Sequence, residues 1–487
     1  MPCRSSISFV QDFEIKTIRF DVEQLRPTTT VLNYLRSSAI HKGTKEGCAE
    51  GDCGACTVVL GELNVQNKII YTAIDSCLVF LPMLHGKQLI TVENLSEAKD
   101  KEIQLHPVQQ AMVDHNGSQC GYCTPGIVMS LFALYKQVDS PSKENTKDAL
   151  TGNLCRCTGY KSIIEATSAS CVYKGMDHFS KSENDVLLLL MQIKNDERMI
   201  SIKNADQVYD QPASLTEALK LKSDYPDALI INGSTDVALR VTKKHELLPH
   251  IIDLSAVKAI KGYEKNKTEI IIGAGLNLEE IKMRTESDLP ALFTMLKVFG
   301  SRQIRSLATL GGNVGSASPI GDTIPVLMGY NAIVHLQSVN GKRAFNISEF
   351  ISGYRQTKRN SDELITAISI PVPEKTSVIK SYKISKRKDL DISTLNACFR
   401  ITLKDEMVED ILLTFGGMAA TTKRAMQTEN YLKGKPWNRK TVEEAVLLLD
   451  NEFTPISDAR SGAAFRKIAA KNLLIKFWSE TSSVNIK

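Results

Sequence analysis

The sequence predicts a multi-domain α+β chain, and three observations in its 487 residues point there. Strand-like runs come first, interrupted by a loop dense in cysteine and glycine between 47 and 57. Near His106 the pattern turns helical, with two further pairs of cysteines at helix ends. Past a polar connector, mixed α/β patterning returns with two glycine-rich turns, and a last stretch joins paired strands to closing helices. At roughly 150 residues per domain, such a length holds about three domains.

The first part alternates from Ile7 to Phe20 as a strand or hairpin, and Thr28 to Ser38 carries Val31, Leu32 and Leu35 at helical spacing. The loop Gly47 to Thr57 reads GCAEGDCGACT and sets Cys48, Cys53 and Cys56 at C-x4-C-x2-C, with Cys77 beyond. That is the spacing of a plant-type 2Fe–2S loop. Three thiolates converge only if the backbone wraps tightly, and Gly47, Gly51 and Gly54 give it the freedom to do so. Buried free cysteines or a zinc knuckle are the plainer readings. Zinc sites, however, usually pair cysteines in two separate knuckles, whereas three ligands crowd one loop here. Thr57 to Leu60, Lys68 to Ile74 and Gln88 to Leu95 read as strands, which with one helix suits a β-grasp ferredoxin layout over 1–95.

Pro107 to Val113, Ile127 to Val138 and Tyr160 to Val172 read as helices of a second domain, 96–172, with Thr124 as N-cap before Pro125. Cys120-Gly-Tyr-Cys123 alone would also suit a redox dithiol. Cys155-Arg-Cys157 suits a cluster corner better than a disulfide. Flanked by Gly121, Gly152 and Gly159, the four point to a second 2Fe–2S site.

Residues 173–205 read as a charged linker, partly ordered at best. Beyond it, 206–375 is mixed α/β: Ala228 to Ile231, His250 to Leu254 and Glu269 to Ile272 read as strands, Leu276 to Met283 and Pro290 to Phe299 as helices. Two small-residue turns, Asn232-Gly-Ser-Thr-Asp236 and Thr309-Leu-Gly-Gly-Asn313, the second running on to Asp322, let backbone N–H groups approach an anion such as a pyrophosphate. Either alone reads as a tight turn. Gly273-Ala-Gly275 lacks the third glycine of a Rossmann fingerprint, since position 278 is leucine. No Walker A sequence and no H-E-x-x-H occurs. Residues 380–487 read as a small α+β domain, with strands at Leu395 to Leu403 and Ile411 to Phe415 and helices at Thr441 to Leu449 and Asp458 to Phe477.

Composition narrows the classes. Hydrophobic residues at 43% and charged residues at 24% describe an ordinary globular chain. A net charge of +5 is spread out rather than striped, which argues against nucleic acid. The longest apolar run, Val186 to Met191, is too short for a bilayer, and the N-terminus lacks a secretory h-region. Eleven cysteines are an odd number, and eight fall in metal-type groups. Cys3, Cys171 and Cys398 then read as unpaired thiols in a reducing compartment, the cytoplasm.

GCAEGDCGACT, QCGYCTPG and GNLCRCTGY, in that order, resemble the two iron–sulfur domains of molybdenum hydroxylases. INGSTDV and RSLATLGGNVGSASPIGD resemble the flavin domain of that family, which is of the vanillyl-alcohol-oxidase-like kind. The resemblance implies that Cys48, Cys53, Cys56 and Cys77 ligate the cluster nearer the flavin, and Cys120, Cys123, Cys155 and Cys157 the cluster nearer molybdenum. It implies that Gln119 touches a pterin, and that Asn232, Gly233, Ser234, Thr235, Asp236 and Val237, with Thr309, Gly311, Gly312 and Asn313, bind the FAD pyrophosphate. Asp322, Ile365 and Lys383 fall at other FAD contacts, Phe299 beside the isoalloxazine and Tyr354 at the nicotinamide site. Ile365 replaces a leucine, and Leu390 with its neighbours departs from the animal pattern near the nucleotide pocket.

The implied activity is electron transfer, from a molybdopterin-holding large subunit through two 2Fe–2S clusters to FAD and then NAD. The overall reaction would be oxidation of hypoxanthine and xanthine to urate, or of an aldehyde or other N-heterocycle. Two small and two large chains, without nucleic acid or membrane, are expected, and no residue here as a catalytic acid or base. A redox-sensing interaction protein is the rival class; it would need a basic recognition helix, and none is evident.

Overall fold

In the computed structural model, residues 3–99, 102–175, 177–196, 198–204 and 206–482 are described; the remainder of the N-terminal stretch, the connector and the last domain named above lies outside them. β1 (Ser6–Gln11) pairs antiparallel with β2 (Glu14–Arg19), the hairpin that alternation predicts. α1 (Val31–Ser37) starts where the Thr30 side chain accepts the Asn33 N–H, and it buries Val31, Leu32 and Leu35. β3 (Thr57–Leu63), β4 (Ile69–Asp75) and β5 (Gln88–Ile90) complete a sheet of order β2-β1-β5-β3-β4, with β1 and β5 parallel. This is the β-grasp arrangement. The last strand is shorter than the expected Gln88 to Leu95. Past Ile90 the chain turns into a 3-10 helix, because Thr91 and Asn94 cap each other.

β6 (Glu97–Lys99) and β7 (Glu102–Gln104) form a small hairpin before α2 (Pro107–Asp114), α3 (Thr124–Gln137), α4 (Lys143–Ala149) and α5 (Lys161–Ser170). α3 is buried from Gly126 to Tyr135 and forms the centre of this part. It begins one residue earlier than expected: Cys123 occupies the cap and Thr124 the first helical position. α4 escapes sequence periodicity because only Thr146 and Ala149 along it are buried.

The connector is a correction. It contains α6 (His178–Lys181) and α7 (Glu183–Lys194) and leads into β8 (Ile200–Asn204). Val186, Leu190 and Ile193 lie on one face of α7 and join the core around Val10, Val59 and Phe132. Leu187, Leu188, Leu189 and Met191 fill the positions between them, so the unbroken run VLLLLM shows no helical period in the sequence.

β9 (Gln207–Gln211), α8 (Leu215–Asp224), β10 (Leu229–Ile231), α9 (Ala238–Thr242) and β11 (His250–Asp253) follow. They give a sheet of order β10-β11-β9-β8, parallel except for the β9–β8 pair. Packing does not follow the expected boundary at 206. Described residues within Met1–Ala218, Asp227–Ala256 and Gly300–Ala308 form one compact unit. In it Ile7, Phe9 and Leu78 share a core with Ile200, Tyr209, Ile231 and Leu307.

The second unit holds Leu219–Pro226, Val257–Phe299 and the residues from Thr309 onward. β12 (Tyr263–Lys265), β13 (Glu269–Gly273), α10 (Leu278–Thr285) and α11 (Pro290–Lys297) precede α12 (Arg302–Leu307), which belongs to the first unit. α13 (Leu310–Ser316), α14 (Thr323–Gly329), β14 (Ile333–Ser338), β15 (Gly341–Asn346), α15 (Ile347–Phe350), β16 (Ile351–Gly353), β17 (Gln356–Thr357) and β18 (Leu364–Pro371) follow, and the sheet β12-β13-β18-β14-β15 is antiparallel throughout. Gly273 is not part of a nucleotide turn: a Cβ there would lie 2.3 Å from Ile260 O.

β19 (Ser377–Ile384), β20 (Leu395–Lys404), β21 (Met407–Gly416) and β22 (Lys423–Arg424) form the last sheet, followed by α16 (Met426–Leu432), α17 (Arg439–Glu452) and α18 (Ala463–Thr481). Phe399, Phe415, Trp437 and Phe477 lie in their common core. α18 starts later than Asp458, because that carboxylate accepts the Arg460 and Ser461 N–H groups and holds a turn. Among the described residues, no helix is long and apolar enough to cross a membrane.

Candidate functional site

The loop between α1 and β3 carries three of the four cysteines of the first quartet, and the turn after β4 carries Cys77. Cys56 and Cys77 are buried with their Sγ atoms 3.4 Å apart, in contact but far beyond a disulfide of about 2.05 Å. Cys48 and Cys53 are half-buried and within hydrogen-bonding reach of each other. The N–H groups of Glu50 and Asp52 donate to Cys48 Sγ at 3.4 and 3.2 Å, the kind of bond that stabilises a thiolate. Asp75 is fully buried 3.8 Å from Cys56 Sγ, and burial, with Cys48 nearby, pushes its carboxyl up to about 8.

The second quartet sits on helix ends, as the sequence suggests. Cys120 and Cys123 precede α3, and Cys155 and Cys157 lie between α4 and α5. Cys120 and Cys157 are exposed with sulfurs 3.6 Å apart; Cys123 and Cys155 are half-buried and adjoin. Thr158 Oγ1 lies 3.2 Å from Cys155 Sγ. Gln119 is exposed immediately before Cys120.

Both quartets thus pair two and two. Among the described residues no three Cys, His, Asp or Glu side chains converge on a point as a mononuclear ion requires. Two pairs of thiols suit a dinuclear cluster, in which each iron takes two thiolates, better than tetrahedral zinc.

In the same unit, the turn from Asn232 to Val237 follows β10. Gly233 has φ +105 and Ser234 φ +59. Among the described residues, the N–H groups of Gly233, Ser234 and Thr235 donate to no carbonyl. Successive unengaged N–H groups in such a turn form an anion-binding concavity, so these residues fit a pyrophosphate. Two hydrogen bonds join this segment to the first quartet, one from the turn and one from Lys243 just past α9. Ser234 Oγ donates to the carbonyl of Leu78, next to Cys77, at 2.5 Å, and Lys243 Nζ donates to the carbonyl of Cys48 at 3.1 Å.

Thr309 to Asn313, in the second unit, is built differently. Leu310 and Gly311 donate their N–H groups to Leu276 and Ala274, and Gly312 donates to the Thr309 cap at 3.2 Å. The expectation that these amides face an anion does not hold for 310–312. Gly311 is small because a Cβ would lie 2.6 Å from Ala274 Cβ; at Gly312 a Cβ would meet only Thr309 Oγ1, at 3.0 Å.

Asp322 and Lys383 form a buried ion pair at 2.8 Å. Lys383 also donates to Val298 O at 2.9 Å, while Ser393 and Asn396 donate to the other Asp322 oxygen at 2.5 and 2.6 Å. A cavity of about 420 Å³ beside this knot is lined by Met295, Val298, Lys383 and Arg387, with Phe299 next in the chain. Ile365 on β18 faces α13, 3.2 Å from where a Gly315 Cβ would be. Tyr354, 62% exposed at the tip of the β16–β17 hairpin, takes no part in the knot.

Sequence reasoning missed Ser393, Asn396, Lys243, Tyr122, Asn153 and Gln303. Single polar residues, buried like Ser393, Asn396, Asn153 and Gln303 or exposed like Lys243 and Tyr122, leave no periodic signal, although Asn153 sits inside the quoted GNLCRCTGY and Tyr122 inside QCGYCTPG.

Four family models match in order: "2Fe-2S iron-sulfur cluster binding domain" over 14–76, "[2Fe-2S] binding domain" over 91–168, "FAD binding domain in molybdopterin dehydrogenase" over 201–373, and "CO dehydrogenase flavoprotein C-terminal domain" over 380–481. The chain is 32% identical to a xanthine dehydrogenase/oxidase of Gallus gallus over 95% of its own length and 39% of the relative's. Against xanthine dehydrogenase 1 of Arabidopsis thaliana it is 30% identical, over 92% and 38%. It therefore spans about two-fifths of the length of the curated relatives it matches. A solved Cu,Mo-CO dehydrogenase chain, 24% identical, aligns with TM-score 0.53 over 56% of this chain and 96% of its own. A chain of quinoline 2-oxidoreductase from Pseudomonas putida 86, 20% identical, aligns with TM-score 0.54 over 58% and 99%. Those two likenesses show a shared fold. With two 2Fe–2S domains, an FAD-binding domain and a flavoprotein C-terminal domain in succession, the chain belongs to the molybdenum hydroxylase family, as the iron–sulfur and FAD portion of the xanthine-dehydrogenase-like kind.

Proposed function

We propose that this chain carries electrons from a molybdopterin-holding large subunit, through two 2Fe–2S clusters and FAD, to NAD in a xanthine dehydrogenase. The observation that carries the reading is that the segment with the turn Asn232–Val237 is tied to the first quartet, by Ser234 of the turn to Leu78, next to Cys77, and by Lys243, just past α9, to Cys48. Cys48, Cys53, Cys56 and Cys77 hold the cluster beside that turn, and Cys120, Cys123, Cys155 and Cys157 hold the other. A cluster takes one electron at a time and a hydride brings two, so the flavin, when bound, supplies the conversion between them. The protein's part is to bind and orient.

On the first unit, the N–H groups of Gly233, Ser234 and Thr235 hold the FAD pyrophosphate, with Asn232, Asp236 and Val237 shaping the turn. In the second unit, Gly311 packs against Ala274, and Gly312, with Thr309 and Asn313, forms the more open side of its turn. Asp322 and Lys383 fix the cavity wall next to Phe299; Ile365 lines the flavin, and Tyr354 meets the nicotinamide. Gln119, exposed beside Cys120, meets the pterin of the partner. No side chain here serves as general acid or base, and purine hydroxylation belongs to the partner, in an assembly of two small and two large chains. None of the eleven cysteines is in a disulfide, which supports a reducing, cytoplasmic setting.

Co-purification tests the assignment: the complex should contain molybdenum and reduce NAD with xanthine. NAD reduction with an aldehyde or another N-heterocycle, and none with xanthine, would transfer the same electron path to a different branch of the family.

A further inference from the structure

Asn153 is buried between the two cysteine loops with its whole side-chain amide engaged. Nδ2 donates to Gly54 O and to Thr57 Oγ1, both at 3.1 Å, and Oδ1 accepts from Ser130 Oγ at 2.6 Å and Gln303 Nε2 at 2.8 Å. Two donors and two acceptors fill the capacity of an amide. Gly54 and Thr57 flank Cys56 of the first quartet, whereas Ser130 lies on α3, behind Cys123 of the second. Gln303 lies on α12, the helix that leads in sequence to Thr309.

Around this amide the loops touch backbone to backbone. A Cβ on Gly54, whose φ is +67, would lie 2.4 Å from Gly152 O, and one on Gly126 would lie 2.1 Å from Gly54 O. At the contact, the N–H of Leu154 donates to the carbonyl of Cys53 at 3.1 Å. Leu154 is peptide-bonded to Cys155, so one hydrogen bond joins a ligand of the first quartet to the neighbour of a ligand of the second. The hydroxyl of Tyr160 closes the ring, accepting the Cys155 N–H at 2.6 Å and donating to Asn153 O at 3.2 Å. A further link among the described residues, from the Tyr122 hydroxyl to Glu46 O, runs through an entire exposed side chain.

We propose that Asn153 is a positioning residue, holding the Leu154 N–H to Cys53 O=C bond that couples the two clusters electronically. One electron leaves one cluster as the other gains it, and no proton or covalent bond moves. The amide suits the task because its donors hold the first loop and its acceptor is pinned from α3 and α12. Removing either half orphans buried partners rather than merely subtracting a bond. This proposal rests on the reading that both quartets hold 2Fe–2S clusters.

The test uses the full chain and its Asn153→Asp and Asn153→Leu variants, each fully reduced and studied by electron paramagnetic resonance at low temperature. The unsubstituted chain should show two cluster signals split by their magnetic interaction. Both variants should keep iron, flavin and the g values of each signal, but the splitting should shrink or vanish and equilibration of electrons between clusters should slow. If these variants lose a cluster outright, Gln303→Met decides. It keeps Asn153 and every ligand but removes one of the two donors that pin the Asn153 carbonyl oxygen, so the Leu154–Cys53 contact should loosen and the splitting should fall. Unchanged splitting in the variants that retain both clusters, or no splitting in the unsubstituted chain, overturns the proposal. Absence of iron from the unsubstituted chain would instead overturn the reading beneath it.

Discussion

Replacing Gly233 by alanine isolates the flavin turn from the rest of the molecule. The added Cβ would lie 1.9 Å from Leu307 O and 2.8 Å from Leu307 C. Those atoms are backbone, at the end of a helix anchored by the buried Gln303 and Arg305 side chains, so they cannot swing aside. Non-bonded heavy atoms rest at about 3.5 Å, so the turn must retreat by about 1.5 Å. The φ of +105 adds strain of about 1–3 kcal/mol for a residue with a side chain. Such a shift misaims the N–H groups of Gly233, Ser234 and Thr235. A hydrogen bond to a charged group contributes about 1.5–3 kcal/mol, so loss of one lowers FAD affinity about ten- to a hundredfold. The assay is the ratio of flavin absorbance to iron in the purified chain, followed by FAD titration of the stripped protein. We expect iron unchanged and FAD weakened. Undiminished FAD affinity in a folded Gly233→Ala chain would refute the assignment of this turn.

Gly312→Ala should fold normally, since its Cβ meets only the Thr309 hydroxyl, whereas Gly311→Ala presses on Ala274 and should cost about 1–3 kcal/mol in chemical unfolding. Cys77→Ser and Cys155→Ser should each lower iron from about four to about two per chain and remove a different resonance signal. Asp322→Asn leaves the Lys383 ammonium buried and should destabilise the second unit by about 3–5 kcal/mol in thermal or urea unfolding, while Asp322→Asn with Lys383→Met recovers part of that loss.

Acid sensitivity should have a defined window. Burial lowers His85 and His106 to about 4; Arg4 and Asp196 lie near the first, and Asp177, His178 and Lys136 near the second. Each ring accepts a backbone N–H through Nδ1, from Ser8 and from Val108, both at 3.1 Å, and so must stay neutral. Between about 6.5 and 4 the unfolded chain holds protons that the folded chain does not. Stability is therefore full above about 6.5 and falls as the pH drops towards 4, by on the order of 3 kcal/mol for each ring. His106→Asn, which keeps a capping oxygen, should flatten its share of the slope in urea unfolding at pH 7 and pH 5.

What the sequence revealed and what it hid divide along physical lines. Covalent spacing announces the cysteine quartets, because ligands of one cluster must lie close in the chain or on adjoining helix ends. Alternation reveals β1, β2 and the long pair β20 and β21, whose faces differ sharply in polarity. α7 was hidden by leucines at its outer positions, Leu187, Leu188 and Leu189, although Val186, Leu190 and Ile193 keep helical spacing. The glycine turns looked alike as strings, yet one leaves its N–H groups open while the other spends them on Leu276, Ala274 and a threonine cap. Only backbone pairing from distant segments separates the two. Asn153, Gln303, Ser393 and Asn396 were illegible for the same reason: their roles arise from residues far away in the chain.

Anaerobic titration of the purified, cofactor-replete chain with NADH, then in a fresh sample with xanthine, tests the central claim most directly. NADH should bleach the flavin and electrons should then appear in the clusters, with a total capacity of about four electrons per chain, two in the flavin and one in each cluster. Xanthine should leave every cofactor oxidised until the molybdenum-holding partner is added. Bleaching by xanthine alone, or a flavin that NADH cannot reduce, would contradict it.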